Sequence, residues 1–560
     1  MIGIFLFWLA FSPVQPAPET PAVPHQEHLQ HQKENLVFPQ KTLSGNSIAE
    51  HIRRGFDRQL QLKSHTGAKE SLEITRQLTR FYSARSFQPV WTKLLMVSEL
   101  IQAVDGAVDD GLDPADYHIS EIREFYIKPP ATPEMQARYD FLLSDAYFTL
   151  ANHLHYGKVD PGSLDPDWNL NNTVSISALE YRLQNAVVTE RIGGVLKDLR
   201  PQSVKYDNLR TCLARYRTIA REGGWTALTE GPVLKEGDRD RRVIKLRKRL
   251  EASGDITFLK TDTSKIFTRE LTDAVKRFQK RQGNEPDGVV GASTVKLLNI
   301  PVESRIDQIR INLERYRWFS SNLEPTYVMV NIPDFTLTYV ENGHNRWVTK
   351  VVVGQLARKT PVFKAEMQYI IFNPQWVIPP TILDKDALPG IRKSLSYLSH
   401  RKLNVIDRNG SIVDPASVNW SQYTGKNLPY RLQQSSGDQG SLGRVKFLLP
   451  NRYIVYLHDT PHKELFKKSF RAFSSGCIRV ENPLELAGIV LQDSVKWSGE
   501  QIRKAVDTKK TRTVSLPKRI PVYILYLTAT AEGEDILFLD DVYGRDSAVL
   551  NALNKPAPKY

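Results

Sequence analysis

The chain has 560 residues, of which 41% are hydrophobic and 9% aromatic, so it is long and apolar enough for three or four packed domains and is not a disordered protein. Its net charge of +14 would suit a nucleic-acid-binding protein, but the Lys and Arg residues are spread along the chain and no zinc-finger or aromatic RNA-binding motif accompanies them. Composition therefore argues against nucleic acid as a partner and leaves an acidic polymer, or a solvated basic surface, as the reason for the charge.

The N-terminus combines an apolar segment with a proline-rich stretch. Residues 1–12 are almost wholly apolar up to Phe11, and their length fits the hydrophobic part of a secretion signal, although no Lys or Arg precedes them. Residues 13–46 are rich in Pro, Gln, His and Glu and predict an extended linker. We therefore expect an exported protein, with a disordered apolar tail or a shallow membrane anchor as the alternative.

Residues 47–231 predict a helical scaffold domain. Apolar residues recur at close to helical spacing between Ala137 and Tyr156, which predicts one of its helices. Cys212 lies in a helical-looking stretch of this domain, where a buried structural thiol is the ordinary interpretation. A disulfide between Cys212 and Cys477, the two cysteines of the chain, is not expected, because the surroundings of Cys477 are those of a reactive thiol.

A smaller helical unit is predicted at residues 232–300. Two apolar helix faces are formed by Val243, Leu246 and Leu250 and by Leu271, Ala274, Val275 and Phe278. Turn residues follow at 279–291, and a third short helix begins near Thr294. The pattern predicts a three-helix domain, with a generic helical spacer as the alternative.

Beyond Trp318 the sequence becomes rich in β-branched and aromatic residues, so residues 301–546 predict a β-rich domain. Strands are expected at residues 327–333, 336–340, 348–353, 367–372, 445–449, 453–457, 521–527 and 536–539. The long mixed segment at about 379–430 is expected to be a lid over the active site, and residues 547–560 a C-terminal tail. The predicted fold class is multidomain α+β.

Two motifs in the β-rich domain supply a nucleophile and a base. His458 opens an HDTP motif at a strand end, and Cys477 lies in the motif SSGCIRV. A cysteine beside a histidine can lose its proton near neutral pH and become a strong nucleophile, which predicts acyl transfer through a thioester. Gly476 permits a tight turn, so we assign Gly476 and Ser475 to an oxyanion loop, with the Cys477 N–H as its first donor, and Ser474 to substrate binding.

Other residues near the motifs have two interpretations each. Arg479 can bind a substrate carboxylate or make an ion pair within the domain. Tyr456 and Trp376 can line the substrate pocket or pack in the core. Asp459 is not expected to complete a triad, because adjacent residues on a strand point to opposite faces, so a backbone carbonyl is the expected partner of the imidazole. His462 is expected at the surface, and no metal site is expected.

The HDTP motif, followed nineteen residues later by the Cys of SSGCIRV, resembles the signature of the L,D-transpeptidase family with a YkuD-type catalytic domain, and especially its large periplasmic YcbB-like branch. NPQWVIPPTIL at 373–383, GSLGRVKFLLPN at 440–451 and DDVYGRD at 540–546 are similar to further parts of that domain. RFQKRQG and PDGVVGASTVKLLN resemble a peptidoglycan-binding domain. Ser475 stands where the widespread family form has His, as in the large branch.

The resemblance implies that Cys477 attacks the carbonyl between meso-diaminopimelate and D-alanine in a peptidoglycan stem tetrapeptide, releasing D-Ala and forming a thioester. It further implies that the diaminopimelate amine of a second stem attacks the thioester to give a 3→3 cross-link, with His458 moving the protons. It implies no cofactor, and carbapenems are expected to acylate Cys477. A cell-wall L,D-carboxypeptidase or cysteine amidase, with water as acceptor, and a non-catalytic peptidoglycan-binding scaffold stay open as alternatives.

Overall fold

The computed structural model describes residues 45–66, 69–165, 168–169, 176–257, 263–437 and 440–556. The signal-like segment 1–12 and nearly all of the linker 13–46 lie outside these ranges. Each helix within the described ranges is either too short or too polar to cross a bilayer.

The N-terminal region is helical. Its helices are α1 (Gly45–Thr66), α2 (Lys69–Ser83), α3 (Leu94–Asp105), α4 (Ile119–Ile127), α5 (Pro133–Tyr156), α6 (Pro161–Leu164), α7 (Ile176–Thr189), α8 (Ile192–Asp198) and α9 (Val204–Arg221). The helix predicted at residues 137–156 is α5, and it begins earlier because the Thr132 side chain caps it by accepting a hydrogen bond from the Met135 N–H. Leu143 and Leu150 of α5 are fully buried, so this helix forms the centre of the region.

The predicted three-helix unit is present. It consists of α10 (Arg242–Ala252), α11 (Arg269–Arg281) and α12 (Ala292–Leu298). The residues predicted to form its two apolar faces are all buried in one core, together with Phe267, Val290, Val295 and Leu298. The following helix, α13 (Val302–Phe319), leads into the β-rich region.

The β-rich region is built on a sheet that closes into a ring. The strands of the described chain are β1 (Trp168–Asn169), β2 (Tyr327–Asn331), β3 (Thr336–Glu341), β4 (His344–Gly354), β5 (Val362–Phe372), β6 (Trp376–Val377), β7 (Leu403–Ile406), β8 (Ile412–Val413), β9 (Arg431–Gln434), β10 (Val445–Leu448), β11 (Leu457–His458), β12 (Ala472–Ser474), β13 (Ile478–Val480), β14 (Arg512–Leu525), β15 (Ala529–Glu532) and β16 (Asp535–Phe538). The order around the ring is β5, β10, β11, β13, β4, β3, β2 and β14, and β14 pairs again with β5. Because β14 pairs with β2 on one side and with β5 on the other, the ring has no open edge.

The strand predicted at residues 453–457 is wrong except for its last residue. Ile454 has a φ of 57°, in the left-handed region, which breaks the extended backbone. The Asn451 side chain holds a turn there, because it accepts hydrogen bonds from the N–H groups of Tyr453 and Val455 and donates one to the Val455 carbonyl. The strand is therefore reduced to β11, and Tyr456 precedes it in irregular backbone.

The segment expected to be a lid is a small folded unit with its own core. It contains α14 (Pro380–Ile382), α15 (Leu388–Lys393), α16 (Ser396–His400), a π-helical turn at Leu383–Ala387 and the sheet β6-β9-β7-β8. Its core includes Ile378, Leu388, Ile391, Leu398, Val405, Trp420 and Leu432. We refer to residues 376–434 as the lid.

Residues 547–553 were expected to belong to a tail, but they form most of α19 (Asp546–Leu553). Val549 and Leu553 are buried in the same core as the ring of strands, and this apolar pair fixes the helix. Before it, α17 (Pro483–Leu491) and α18 (Gly499–Asp507) cover the sheet. The strand expected at residues 536–539 is β16, which pairs with β15 as a hairpin outside the ring that packs on α9.

A buried interface joins the scaffold to the β-rich region. The Arg317 guanidinium of α13 is fully buried and donates hydrogen bonds to Glu314, to the Asp110 carbonyl and to the Tyr206 hydroxyl. Cys212 of α9 lies in an apolar cluster that also contains Tyr206, and burial raises the pKa of its thiol. This thiol is a buried structural one, as predicted.

Candidate active site

Three neighbouring strands bring Lys446, His458 and Arg479 into one row. His458 of β11 pairs with Lys446 of the antiparallel strand β10 and with Arg479 of the parallel strand β13. Directly paired residues project from the same face of a sheet, so the three side chains share one face. The next row is fully buried in the core and consists of Phe447, Leu457 and Ile478. The period-two alternation of the strands thus separates the polar row from the core.

The polar face opens onto a cavity of about 280 Å³. All eight residues assigned to the site from the sequence line it: Trp376, Tyr456, His458, Ser474, Ser475, Gly476, Cys477 and Arg479. The lid contributes another part of the lining, with Pro379, Thr381, Asp386, Tyr397 and Arg401 among its residues. Cys477 and His458 therefore meet the same enclosed space, beneath the lid.

The imidazole of His458 is held in one tautomer. Its Nδ1 lies 2.5 Å from the backbone carbonyl oxygen of Asp459, and since a carbonyl can only accept, Nδ1 carries the proton. The other ring nitrogen, Nε2, is then left with a lone pair and can act as a base. A backbone carbonyl thus orients the base, as the sequence predicts.

The Asp459 carboxylate is occupied elsewhere. It accepts hydrogen bonds from the backbone N–H groups of Arg444 and Thr460 and pairs with Lys463 Nζ at 2.5 Å. The carboxylate orders the loop after β11 and does not hold the imidazole. His462 lies nearby with its side chain 63% exposed, which agrees with its predicted surface position.

The loop before Cys477 depends on Ser474 and Gly476. Ser474 is buried, and its Oγ donates to the Cys477 carbonyl at 2.5 Å and accepts from the Gly476 N–H at 3.1 Å. Gly476 has a φ of 114°, which residues with a side chain rarely adopt. Ser474 was assigned to substrate binding from the sequence, but its hydroxyl is used inside the loop, where it sets the backbone of the nucleophile.

A second loop supports this turn from behind. Thr360 is fully buried, and its Oγ1 donates to the Gly476 carbonyl at 2.8 Å and accepts from the Gly354 N–H at 2.9 Å. Tyr543 reaches the same place, where its hydroxyl donates to the Gly354 carbonyl and accepts from the Thr360 N–H. The DDVYGRD segment noted in the sequence therefore contributes to the site by positioning the nucleophile loop.

The Cys477 thiol is surrounded by polar groups of the preceding irregular segment. Its Sγ lies 3.8 Å from the carbonyl oxygen of Ile454, to which it donates. The backbone N–H and the phenol of Tyr456 lie close enough to the sulfur to favour its thiolate form, and Trp376 acts on the same phenol. Tyr456 and Trp376 thus join Cys477 in one polar cluster, although Tyr456 is itself buried.

Burial makes both members of the pair neutral in the resting state. It lowers the pKa of His458 to about 3, and the positive charges of Arg479 and Lys446 act in the same direction. Burial also raises the pKa of the Cys477 thiol, an effect that the nearby polar groups of Tyr456 and the charges of Lys446 and Arg479 oppose. The sequence suggested a thiol ionised near neutral pH, but desolvation favours a neutral thiol beside a neutral base.

Arg479 has no ionic partner within 4.0 Å among the described residues, and its Nε is buried without a hydrogen bond to them. Burial lowers its pKa, and Glu464 acts on it only through longer-range attraction. The intradomain ion pair considered from the sequence is therefore not formed in the described part of the chain. The guanidinium is available on the cavity wall to a ligand carboxylate.

Three residues of the site were missed from the sequence. Lys446 lies with its Nζ 3.7 Å from the centre of the Tyr456 ring, and burial lowers the pKa of its amine. Arg358 and Asp386 form an ion pair between the loop behind the nucleophile loop and the lid. Lys446 had a detectable signal, because it is a lone cation in the apolar strand Val445–Leu448 of a motif already noted.

Three family profiles match the chain. They are described as "Scaffold domain" at residues 76–213, "Putative peptidoglycan binding domain" at residues 239–298 and "L,D-transpeptidase catalytic domain" of the YkuD family at residues 325–523. Residues 325–523 are a YkuD-type L,D-transpeptidase catalytic domain. The expected resemblance is confirmed, and so is the α+β class with helical, peptidoglycan-binding and β-rich parts.

Individual relatives cover less of the chain. A protein of Haemophilus influenzae named "Putative L,D-transpeptidase" is 36% identical over 222 residues, which are 40% of this chain and 45% of the relative, so the match spans less than half of that relative's length. A crystal structure of an L,D-transpeptidase from Stackebrandtia nassauensis shares 14% identity, covering 54% of this chain and 97% of its own, with a TM-score of 0.19. One from Xylanimonas cellulosilytica shares 16%, covering 53% and 99%, with a TM-score of 0.17. Scores this low carry no argument about the fold.

Within the L,D-transpeptidase domain, the profile covers the ring strands β2 to β5, the lid, and the row on β10, β11 and β13. It ends within β14, so Tyr543 and its contacts to the nucleophile loop lie beyond the matched residues. The family profile thus includes the supporting contacts of Thr360 and does not include those of Tyr543.

Proposed function

We propose that this protein is a peptidoglycan L,D-transpeptidase that forms 3→3 cross-links through a Cys477 thioester and releases D-Ala from a tetrapeptide donor. The observation that carries the proposal is that Cys477 shares one cavity with Arg479 and with His458, whose lone pair is on Nε2. Lys446 pairs with His458 on the neighbouring strand, and its charge and that of Arg479 favour the thiolate of Cys477. A peptidoglycan substrate assigns the protein to the cell envelope, and we propose the periplasm.

In the first half-reaction the Cys477 sulfur attacks the carbonyl between diaminopimelate and D-Ala. The thiol leaves the Ile454 carbonyl and gives its proton to His458 Nε2 as the C–S bond forms. The C–N bond to D-Ala then breaks, and the proton on Nε2 goes to the departing D-Ala nitrogen. Because the Gly476 N–H is already bonded to Ser474, we assign the Cys477 N–H to the oxyanion of the tetrahedral intermediate.

In the second half-reaction the free amine of a second stem's diaminopimelate attacks the thioester carbonyl. The C–N bond forms, the C–S bond breaks, and the proton that the amine loses passes through His458 to the sulfur. The imidazole is neutral at the start of each half-reaction, because its pKa lies far below neutral pH. The same group can therefore act as base and then as acid twice in one cycle.

The proposal is tested by incubating the purified full-length protein with disaccharide tetrapeptide and following the products by mass spectrometry. We expect cross-linked dimers, loss of D-Ala, and an enzyme adduct that is absent in Cys477→Ala. Cys212→Ala is the matched control, because it removes the other thiol, which is buried away from the cavity. Activity that survives Cys477→Ala would refute the mechanism.

The same experiment separates transpeptidation from its closest alternative. An L,D-carboxypeptidase or amidase would use the same thioester with water as the acceptor and would give free tripeptide alone. A non-catalytic wall-binding scaffold would give no product and no adduct. Carbapenems should acylate Cys477, and an unchanged intact mass after exposure would count against this.

A further inference from the structure

An ion pair connects the lid to the loop that supports the nucleophile loop from behind. Arg358 lies in the short turn Leu356–Arg358 that follows β4, and its two terminal nitrogens each donate to one oxygen of Asp386 at 2.6 Å. One of these nitrogens also donates to Ser475 Oγ at 3.2 Å, two residues before Cys477. The turn is tied to the same loop by the Gln355 N–H, which donates to the Ser474 carbonyl at 2.9 Å.

One partner of the pair lines the cavity, and the other, Arg358, is partly exposed beside it. Asp386 lines the cavity of Cys477, and it is the only carboxylate among the described residues that line it. Its side chain is 37% exposed and that of Arg358 is 22% exposed. A half-exposed ion pair adds little to stability, so stability alone does not account for a bidentate pair at this position.

Both partners keep unused hydrogen-bonding capacity. Three of the five N–H donors of Arg358 are taken by Asp386 and Ser475, and each oxygen of Asp386 accepts one bond from Arg358. A ligand with adjacent negative and positive groups can therefore bind across the pair without separating it. Such a ligand replaces water with charge-assisted hydrogen bonds and leaves no charge unpaired.

We propose that Arg358 and Asp386 form the subsite that recognises the acyl acceptor by its zwitterionic amino-acid end, with Arg358 binding the carboxylate and Asp386 the ammonium. This inference rests on the proposed function, because it requires a Cys477 thioester to be attacked. The donor stem carries the same zwitterion at its own diaminopimelate end, so the role of the pair is assigned by which half-reaction depends on it.

The bound ammonium becomes the nucleophile in a balanced step. It first releases one proton to solvent, and the resulting amine attacks the thioester carbonyl. As the C–N bond forms and the C–S bond breaks, the second proton passes through His458 to the Cys477 sulfur. The zwitterion can be the diaminopimelate end of a stem peptide or a free D-amino acid, which present the same two charges on one carbon.

The test compares acceptors that differ by one charge. Full-length enzyme is given disaccharide tetrapeptide as donor and either D-methionine or D-methionine amide, which lacks the carboxylate, as acceptor. Arg358→Gln should raise the KM for D-methionine about 10-fold or more and leave that for the amide unchanged, because only D-methionine loses a charge-assisted hydrogen bond. Asp386→Asn should raise both KM values. The rate of thioester formation, read from the enzyme adduct, is measured in both variants, and a fall in that rate with unchanged acceptor KM values would assign the pair to the donor and overturn the inference.

Arg519→Gln is the matched control, because it breaks an exposed Arg–Glu pair between β14 and β5 that lies outside the cavity lining, and it should change neither KM. If Arg358→Gln raises both KM values equally, the pair only fastens the lid and the inference is wrong. Unchanged KM values in both variants would also overturn it. Dimer formation from tetrapeptide alone tests the stem peptide as the acceptor. If the variants lose activity with only one of the two acceptors, the stem peptide or the free D-amino acid, the subsite is assigned to that acceptor. Failure of the wild type to form any thioester would instead refute the proposed function.

Discussion

Replacement of Thr360 by Val tests whether the second loop positions the nucleophile. The substitution keeps the shape of the side chain but removes the hydroxyl that bridges the Gly354 N–H and the Gly476 carbonyl. Both backbone groups belong to buried residues, so neither gains water as a substitute. The nucleophile loop would then lose the bond that ties Gly476 to the loop behind it.

The expected cost can be worked from these two bonds. Leaving one buried polar group unpaired costs about 1–3 kcal/mol, so two together cost about 2–6 kcal/mol. The added methyl group returns about 1 kcal/mol through its burial. We therefore expect the local stability of the two loops to fall by about 3 kcal/mol, which is about a 100-fold rise in their opening equilibrium.

Amide hydrogen exchange measures this effect locally, which matters because a chain of several domains does not unfold in one step. Peptides covering residues 350–362 and 472–480 should lose protection in Thr360→Val and keep it in Thr360→Ser, which retains the hydroxyl. The rate of thioester formation should fall in the same variant. Wild-type exchange in both peptides of Thr360→Val would refute the argument that this hydroxyl holds the loop.

Three further predictions concern charge, protonation and backbone space. Lys446→Met should raise the pKa of the Cys477 thiol, because it removes a cation that favours the thiolate, and the pH profile of iodoacetamide alkylation at Cys477 should move to higher pH. The catalytic domain should lose stability as the pH falls from 6.5 to about 3, because His458 binds a proton in this range only when unfolded; His458→Gln should flatten that part of the pH–Tm curve. Gly354→Ala should disrupt the domain, since a Cβ would lie 2.2 Å from the carbonyl oxygen of residue 358. Gly488→Ala should not, since its Cβ would lie 3.6 Å from the nearest atom. The two variants are compared by the yield of soluble protein and by circular dichroism.

The elements that the sequence predicts correctly are those with a strong local pattern. The helix α5, the faces of α10 and α11, and strands such as β2 and β3 follow from periodicity, because each buries one face. The strand expected at residues 453–457 is largely absent, because a local side chain favours a turn. Its β-branched and aromatic residues favour extended backbone, but Asn451 offers the chain a turn through its side chain, and that turn prevails.

Only the site residues that lie within or beside a recognisable sequence motif could be predicted from the sequence. His458 lies in the HDTP motif and Cys477 in the SSGCIRV motif, and the second motif also contains Ser474, Gly476 and Arg479. The role of Lys446 depends on which strand pairs with β11 and in which register, and pairing between strands distant in sequence leaves no local signal. The Arg358–Asp386 pair is still less visible, because a lid with its own core has to fold before its carboxylate can meet the loop behind the nucleophile loop.

The resting protonation states explain why two cations stand next to the nucleophile. Burial opposes ionisation of Cys477, so a charge that formed before substrate arrived would be costly, and a neutral thiol bonded to the Ile454 carbonyl avoids that cost. Attack on a carbonyl moves negative charge first to sulfur and then to oxygen, and Lys446 and Arg479 already lie within reach of that charge. Because they stabilise charge that exists only during reaction, removing Lys446 should lower kcat much more than it raises the KM for the donor. A variant that raised the KM and left kcat unchanged would mean that the lysine acts in substrate binding and not on the transition state.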